Sequence, residues 1–156
     1  DAPALKDVYG GFNYMEEIPT ERNQNYVDRY YNRWPDAGYA NEESVNNYFS
    51  IYMYKQAVEQ AGTTDQAAVR EALESGQRVT GSNSPEGDIT FQPKVHHMTH
   101  NMRVMKCDAE HNITVEDQRR IPEQFLTDTV GIDLTGPDSE LEEQFTPTEY
   151  YDAAGE

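Results

Sequence analysis

The sequence predicts a mixed α/β chain with its helices first and its strands last. Two patterns carry that expectation. Apolar residues recur three and four apart from residue 21 to residue 75, the period of a helix, and beyond residue 88 they alternate, the period of a strand. A third pattern concerns the middle helix, which is apolar around most of its circumference. That is the mark of a helix buried between other elements. Helices followed by strands would make an α+β unit if the chain were complete. The middle helix wants more partners than the remaining chain supplies, so the 156 residues are expected to belong to a larger folded body.

The elements follow in order. Val8, Tyr9, Phe12 and Tyr14 surround the pair Gly10-Gly11, and residues 7–14 read as a strand or a strand-to-loop crossing. A helix over 21–34 comes next, with Tyr26, Tyr30 and Trp34 four apart and Val27 and Tyr31 beside them. The Thr20 hydroxyl and Glu21 suit its first turn, and Pro35 stops it. After a loop at 36–41, residues 42–61 form the strongest helix. Val45, Tyr48, Phe49 and Tyr52 mark its turns, while Ile51, Met53 and Tyr54 widen its apolar side. Gly62 suits a left-handed stop. Thr63, Thr64 and Asp65 are all capping residues for a helix over 66–75, whose buried side carries Val69, Ala72 and Leu73. A turn at Ser84-Pro85-Glu86-Gly87 introduces a short strand at 88–91. Strands at 101–107 (Met102, Val104, Met105) and 112–116 (Ile113, Val115) are joined by a hairpin over Asp108–His111. From residue 117 onward no regular structure is expected.

Composition narrows the function classes. Leu, Ile, Val and Phe number 26 of 156 residues, and 29 acids face 12 bases for a net charge of -17. So few aliphatics with so much charge fall in the range of disordered chains, but eleven Tyr and five Met argue for a folded one with a thin aliphatic core. A field this negative repels nucleic acid and anionic lipid. No apolar run approaches the roughly 18 residues of a membrane-spanning helix. The single cysteine, Cys107, excludes an internal disulfide framework and a Cys-rich zinc site. No signal-peptide pattern stands at the start, which says little of a fragment. Ten acids and no base fall in residues 121–156, the pattern of a solvated acidic tail. The acid excess with only four Lys also suits a protein working in concentrated salt, where screening removes the self-repulsion.

Chemistry-bearing motifs are few. His96, His97 and His100 form H-H-x-x-H, and imidazoles ligate transition metals. On an extended segment 96 and 97 point to opposite faces, and no Cys or acid lies within the triad, so these read as loop histidines rather than a metal site. Cys107, in a strand beside Met105, reads as a small buried hydrophobe. No spacing singles out a carboxylate pair, so no catalytic acid and base are nominated, and no phosphate-binding glycine loop is present. Asn112-Ile113-Thr114 is a glycosylation triplet of the kind that arises often by chance. Tyr hydroxyls at the 9–14 crossing, with Asn13, have the donors and acceptors to hold a small polar molecule, although core packing plus a turn accounts for them more simply.

Several runs resemble a known family. Tyr14 followed by Glu17-Ile18-Pro19-Thr20 and Tyr26-Val27 is similar to YF-x-x-(I/L)-D-x-P-x-N-x-x-F-V. Tyr48 is followed by Ala57-Val58-Glu59-Gln60-Ala61-Gly62 and then Asp65, Val69, Arg70, Ala72 and Leu73, similar to A-V-x-x-A-G-x-x-D-x-x-x-V-R-x-A-L. Ser84-Pro85-Glu86-Gly87-Asp88-Ile89 resembles A-P-E-G-x-V, His96-His97 stands where the family carries Asn-His or His-His, and Ile121-Pro122-Glu123-Gln124-Phe125 resembles I-x-P-x-P-(Y/F). That order resembles the C-terminal part of type I periplasmic binding proteins, over roughly residues 7–127. The helix-pair motif is shared across the superfamily, including receptors for branched-chain amino acids. The narrower run from P-E-G through H-H to I-P points to the urea and short-chain amide branch. The sequence departs from the pattern at Gly10-Gly11, at the absent Asp after Ile18 and at Met98–His100.

The resemblance implies an α/β fold of two lobes joined by three crossings, with ligand in the cleft between them. Residues 1–127 would be the C-terminal portion of that fold and 128–156 an acidic tail. Most ligand contacts would lie upstream, and Tyr9, Asn13 and Tyr14, near the cleft, are the candidate ligand-binding residues. The implied protein is the substrate-binding component of an ABC transporter. It would take urea or a short amide, or in the alternative a branched-chain amino acid, and deliver it to a membrane permease outside the cytoplasm. No enzyme activity, cofactor or metal is implied. Three other readings stand beside it. A cytoplasmic amide sensor of the same fold would lack an upstream signal peptide or lipid-anchor cysteine. A His-cluster metalloenzyme would hold metal through dialysis and lose it on His96→Ala or His100→Ala. An acidic interaction module would fold cooperatively from this chain alone.

Overall fold

The computed structural model describes residues 4–93 and 96–120. The elements are β1 (Tyr9–Phe12), α1 (Glu21–Arg33), α2 (Glu42–Ala61), α3 (Gln66–Glu74), β2 (Arg78–Val79), a 3-10 turn (Gly81–Asn83), β3 (Ile89–Phe91), β4 (Met98–Thr99), β5 (Asn101–Cys107) and β6 (Ile113–Arg120). They form two three-stranded antiparallel sheets, β1-β5-β6 and β2-β3-β4. The acidic tail and the Ile121–Phe125 run lie outside the described residues.

Local chemistry sets the helix ends. The Thr20 hydroxyl accepts from the Asn23 amide at 3.4 Å, and the Trp34 amide closes α1 on the Tyr30 carbonyl at 2.9 Å. Asn41 caps α2 by accepting from the Ser44 amide at 3.1 Å, and Gly62 stops it at φ +66°, the left-handed stop expected there. Of the three capping residues before α3, Asp65 takes the role, accepting from the amides of Ala67 and Ala68 at 3.1 Å each.

The core is built on one stripe of α2: Val45, Phe49, Met53 and Ala57, each four residues apart. Against it pack Tyr14, Ile18, Tyr26 and Ala40 from the β1–α2 stretch, Val79, Ile89 and Phe91 from β2 and β3, and Met105 from β5. Ala57 with Val69 and Ala72 forms a second cluster between α2 and α3. Tyrosines supply much of the volume. The rings of Tyr26 and Tyr48 meet edge-on at 4.9 Å, and those of Tyr14 and Tyr26 at 6.1 Å.

Several expectations are corrected. Among the described residues α2 is buried along one side only, leaving Ile51 69% exposed and Tyr54 exposed. Trp34 is a solvent-facing cap rather than part of the apolar stripe. The second hairpin strand runs four residues past its expected end, to Arg120, which pairs across the ladder with Asn101. Strands β2 and β4, of two residues each, carry no sequence pattern of their own. His96 and His97 lie in a loop between β3 and β4, as expected, but His96 stands at φ +54° rather than in the extended backbone assumed for it. Cys107 is half-buried at the end of β5 rather than a core residue.

Two outcomes are expected. Phe49→Ala in the protein removes the centre of the stripe and costs about 3–5 kcal/mol in denaturant unfolding. Ser50→Ala, one residue on and exposed, stays within about 0.5 kcal/mol. The guanidinium of Arg22 lies 2.6 Å from the Asp88 carboxylate, and that hydrogen bond holds the carboxyl below the usual aspartate range. A depressed acid stabilises the fold above the ordinary aspartate range and stops doing so as pH falls through its lowered value. Both side chains are more than a third exposed, so screening keeps the effect under about 1 kcal/mol. Arg22→Ala should therefore lower the melting temperature slightly at neutral pH and not at all in strong acid.

Candidate functional site

The chain passes between its two sheets at neighbouring points, and polar side chains gather there. The first passage leaves β1 at Asn13-Tyr14 on the way to α1. The second runs from β4 through His100 into β5. The turn before β3, Ser84-Pro85-Glu86-Gly87, lies buried against both.

Glu86 is the centre. It is 1% exposed, and its carboxylate accepts from Asn13 Nδ2 at 2.5 Å and from the Asn101 amide at 3.4 Å, with His100 Nδ1 at 3.0 Å. Asn13 Nδ2 also reaches Asn46 Oδ1 on α2 at 2.9 Å. Arg103, 3% exposed, points inward because strand alternation places it on the same face as Met105. Its Nη1 donates to the carbonyls of Asn13 at 2.5 Å and Asn101 at 2.9 Å, and its Nη2 donates to the Glu86 carbonyl. Burial pulls the Arg103 pKa below the ordinary arginine range, and the Glu86 charge opposes that pull. Among the described residues Arg103 Nε has no partner. Gly87 sits at φ +127°, and a Cβ there would stand 2.6 Å from Asn101 Nδ2.

The three candidate ligand residues part company. Asn13 is inside this network. Tyr14 is buried in the core, its hydroxyl without a partner, and burial raises its pKa far above the usual tyrosine range. Tyr9 is 58% exposed, with the Lys106 ammonium 5.6 Å from its ring centre. The histidines separate too. His96 lies 3.0 Å from Glu74 and stacks on Phe91, whereas His100 faces Glu86. Among the described residues no three His, Cys, Asp or Glu side chains gather as a metal site. The sequence marks neither Glu86 nor Arg103 as functional: Glu86 stands only within the Pro85-Glu86-Gly87 run, and the signal for Arg103 is a charged residue at an inward strand position. Two apolar hollows lie away from the network. One of about 460 Å³ runs between α1 and α2 beside Tyr30, Trp34, Tyr48 and Ile51. The other, about 260 Å³, is lined by Phe12, Met15, Met105 and Ile113.

What the arrangement does chemically is hold. Apart from Arg103 Nε, its buried donors and acceptors are spent, among the described residues, on one another and on backbone. Arg103→Leu strands three buried carbonyls and the Glu86 charge, so a loss of about 3 kcal/mol or more is expected in denaturant unfolding. Gly87→Ala, forced into a positive φ, should cost about 1–3 kcal/mol, against almost nothing at Gly38, which has open space.

Among curated protein sequences none matches the chain. Solved structures do match its fold. A solute-binding protein of an ABC transporter from Rhodopseudomonas palustris BisB5, in complex with 3,4-dihydroxybenzoic acid, superposes with a TM-score of 0.63 at 18% identity, covering 76% of this chain and 31% of that one. An R. palustris solute-binding protein in complex with benzoate gives 0.64 at 12% identity, covering 78% and 33%. An ABC-type branched-chain amino acid transporter protein from R. palustris CGA009 gives 0.58 at 21% identity, covering 80% and 34%. The chain thus spans about a third of the length of these structures. Residues 1–112 match the sequence profile described as periplasmic binding protein, and the chain belongs to that family.

Proposed function

We propose that this chain is the C-terminal part of the substrate-binding component of an ABC transporter. The observation that carries the reading is the family match over residues 1–112, on a fold that passes twice between two sheets. Such a receptor holds a small polar solute in the cleft between two lobes, where fixed donors and acceptors replace its hydration. The solute shifts the open–closed equilibrium only by its greater affinity for the closed form. A membrane permease then reads the closed form, in the periplasm or at the cell surface. No bond is broken in this cycle. Among the described residues no helix is long and apolar enough to cross a membrane.

Urea or a short amide is the favoured solute. The support is the run from Pro85-Glu86-Gly87 through His96-His97 to Ile121-Pro122, which resembles that branch. A branched-chain amino acid is the alternative within the family, and a cytoplasmic amide sensor is the alternative outside transport. Asn13 and Tyr14 contribute to the floor of the cleft as shape and backbone position rather than as free hydrogen-bonding groups, and Tyr9 stands at its edge.

The test is the melting temperature of the whole protein containing this chain, in concentrated salt. Urea and acetamide at millimolar concentration, leucine and 4-hydroxybenzoate are added one at a time. Urea or acetamide should raise it in proportion to the logarithm of concentration, with about 2.7 kcal/mol of stabilisation at a hundredfold excess over Kd. A rise with leucine or the benzoate alone refutes the amide assignment and keeps the receptor. No rise with any of them refutes the amide and branched-chain assignments and favours the sensor and interaction-module readings.

A further inference from the structure

The two passages between the sheets are tied by one pair of buried side chains. Glu86 takes Asn13 from the first passage and His100 and Asn101 from the second. Arg103 takes the carbonyls of Asn13 and Asn101, again one from each, and adds that of Glu86. Apart from this network, the β1-β5-β6 sheet gives the shared core one fully buried side chain, Met105, with Ile113 and Val115 packed against its edge. A hinge is a short stretch of element-terminal residues that absorbs rotation between packed bodies. Asn13, at the end of β1, and His100, between β4 and β5, occupy such positions.

We propose that Glu86 and Arg103 are the hinge pin of the receptor, positioning residues that set how far the β1-β5-β6 sheet turns against the helical body and so set the open–closed equilibrium. The proposal rests on the two-lobe reading above and adds the groups that control it. A buried guanidinium on three carbonyls has few alternative arrangements, because any contact it gives up leaves a polar group unpaired. That limits the passages to a small set of discrete geometries. The unpartnered Nε of Arg103 is a spare donor, and a second geometry can use it. Gly87, at φ +127° against Asn101, lets the turn carrying Glu86 approach the second passage closely enough to be tied.

The experiment measures the distance between spin labels at Lys55→Cys on α2 and Gln118→Cys on β6, in a Cys107→Ser background of the whole protein, before any solute is added. Glu86→Gln keeps the shape and removes the charge. Arg103→Lys keeps the charge and cannot span three carbonyls. Both should broaden or shift the distance distribution and change solute Kd roughly 2- to 30-fold, with the bound-state distance unchanged. Val69→Ala, in the separate α2–α3 cluster, should lower the melting temperature and leave the distribution as it was. If either hinge variant fails to fold, His100→Asn, at a side chain 24% exposed, is read in the same way. Distributions identical to the parent's, with only the melting temperature lowered, overturn the proposal. A solute that narrows the parent's distribution while the variants match it also overturns the hinge and leaves the receptor reading standing. Variants that shift the distribution in a protein binding no solute sustain the hinge and remove the transport reading.

Discussion

The guanidinium of Arg103 is removed from water and donates to backbone carbonyls on three separate stretches of chain. A charge in that position is tolerable only while most of its donors are occupied, so the three stretches are restricted to a few discrete arrangements. The Glu86 carboxylate, equally buried, works from the other side by collecting Asn13, His100 and the Asn101 amide. The rest of the architecture depends on this meeting point. If it opened, β1 and β5 would still pair with each other, and their sheet would be attached to the rest by Met105, Ile113 and Val115 and by the Arg120 hydrogen bonds to Asp88 and Thr90.

The helical body is held by different physics. The α2 stripe buries Val45, Phe49, Met53 and Ala57 against tyrosines and the short β2-β3-β4 sheet. With so few aliphatic side chains, aromatic edges supply contact area that Leu and Ile supply elsewhere. The loops are fastened by carboxylates rather than by apolar packing. Glu16 accepts from the Tyr31 hydroxyl at 2.7 Å and from the Ala40 amide at 2.5 Å, and Glu17 accepts from the Tyr39 hydroxyl. Part of the acid excess is therefore structural, spent on satisfying donors between α1 and the loop that follows it. The remainder lies on the surface, where it repels itself and where salt moderates that repulsion.

The exposed apolar groups have their own meaning. Ile51 and Tyr54 on α2 and Tyr9, Met102 and Val104 on the β1-β5-β6 sheet face outward, on two different sides of the fold. A chain spanning a third of its structural relatives leaves such faces bare, and under the receptor reading the upstream part of the lobes covers them.

The helices and the 101–107 strand were legible from residue order because their causes are local. Capping by Thr20, Asn41 and Asp65, the stop at Gly62 and the four-residue spacing of the α2 stripe act within a turn or two of the chain. The resemblance to periplasmic binding proteins was legible for the same reason, through short runs read in sequence. Strands of two residues such as β2 and β4 were not, since a strand that short exists only where a neighbour supplies its hydrogen bonds. Nor was the site. Asn13 stands out for its position in a crossing, but Glu86 reads only as part of a turn motif and Arg103 as one base among 12. Their separation from Asn13 is 73 residues for Glu86 and 90 for Arg103, and no periodicity reports on contacts that distant. Composition and local pattern determined the elements and the family. Only the tertiary structure decided which charges were taken out of water, because burial is a property of the packed chain and not of the residue.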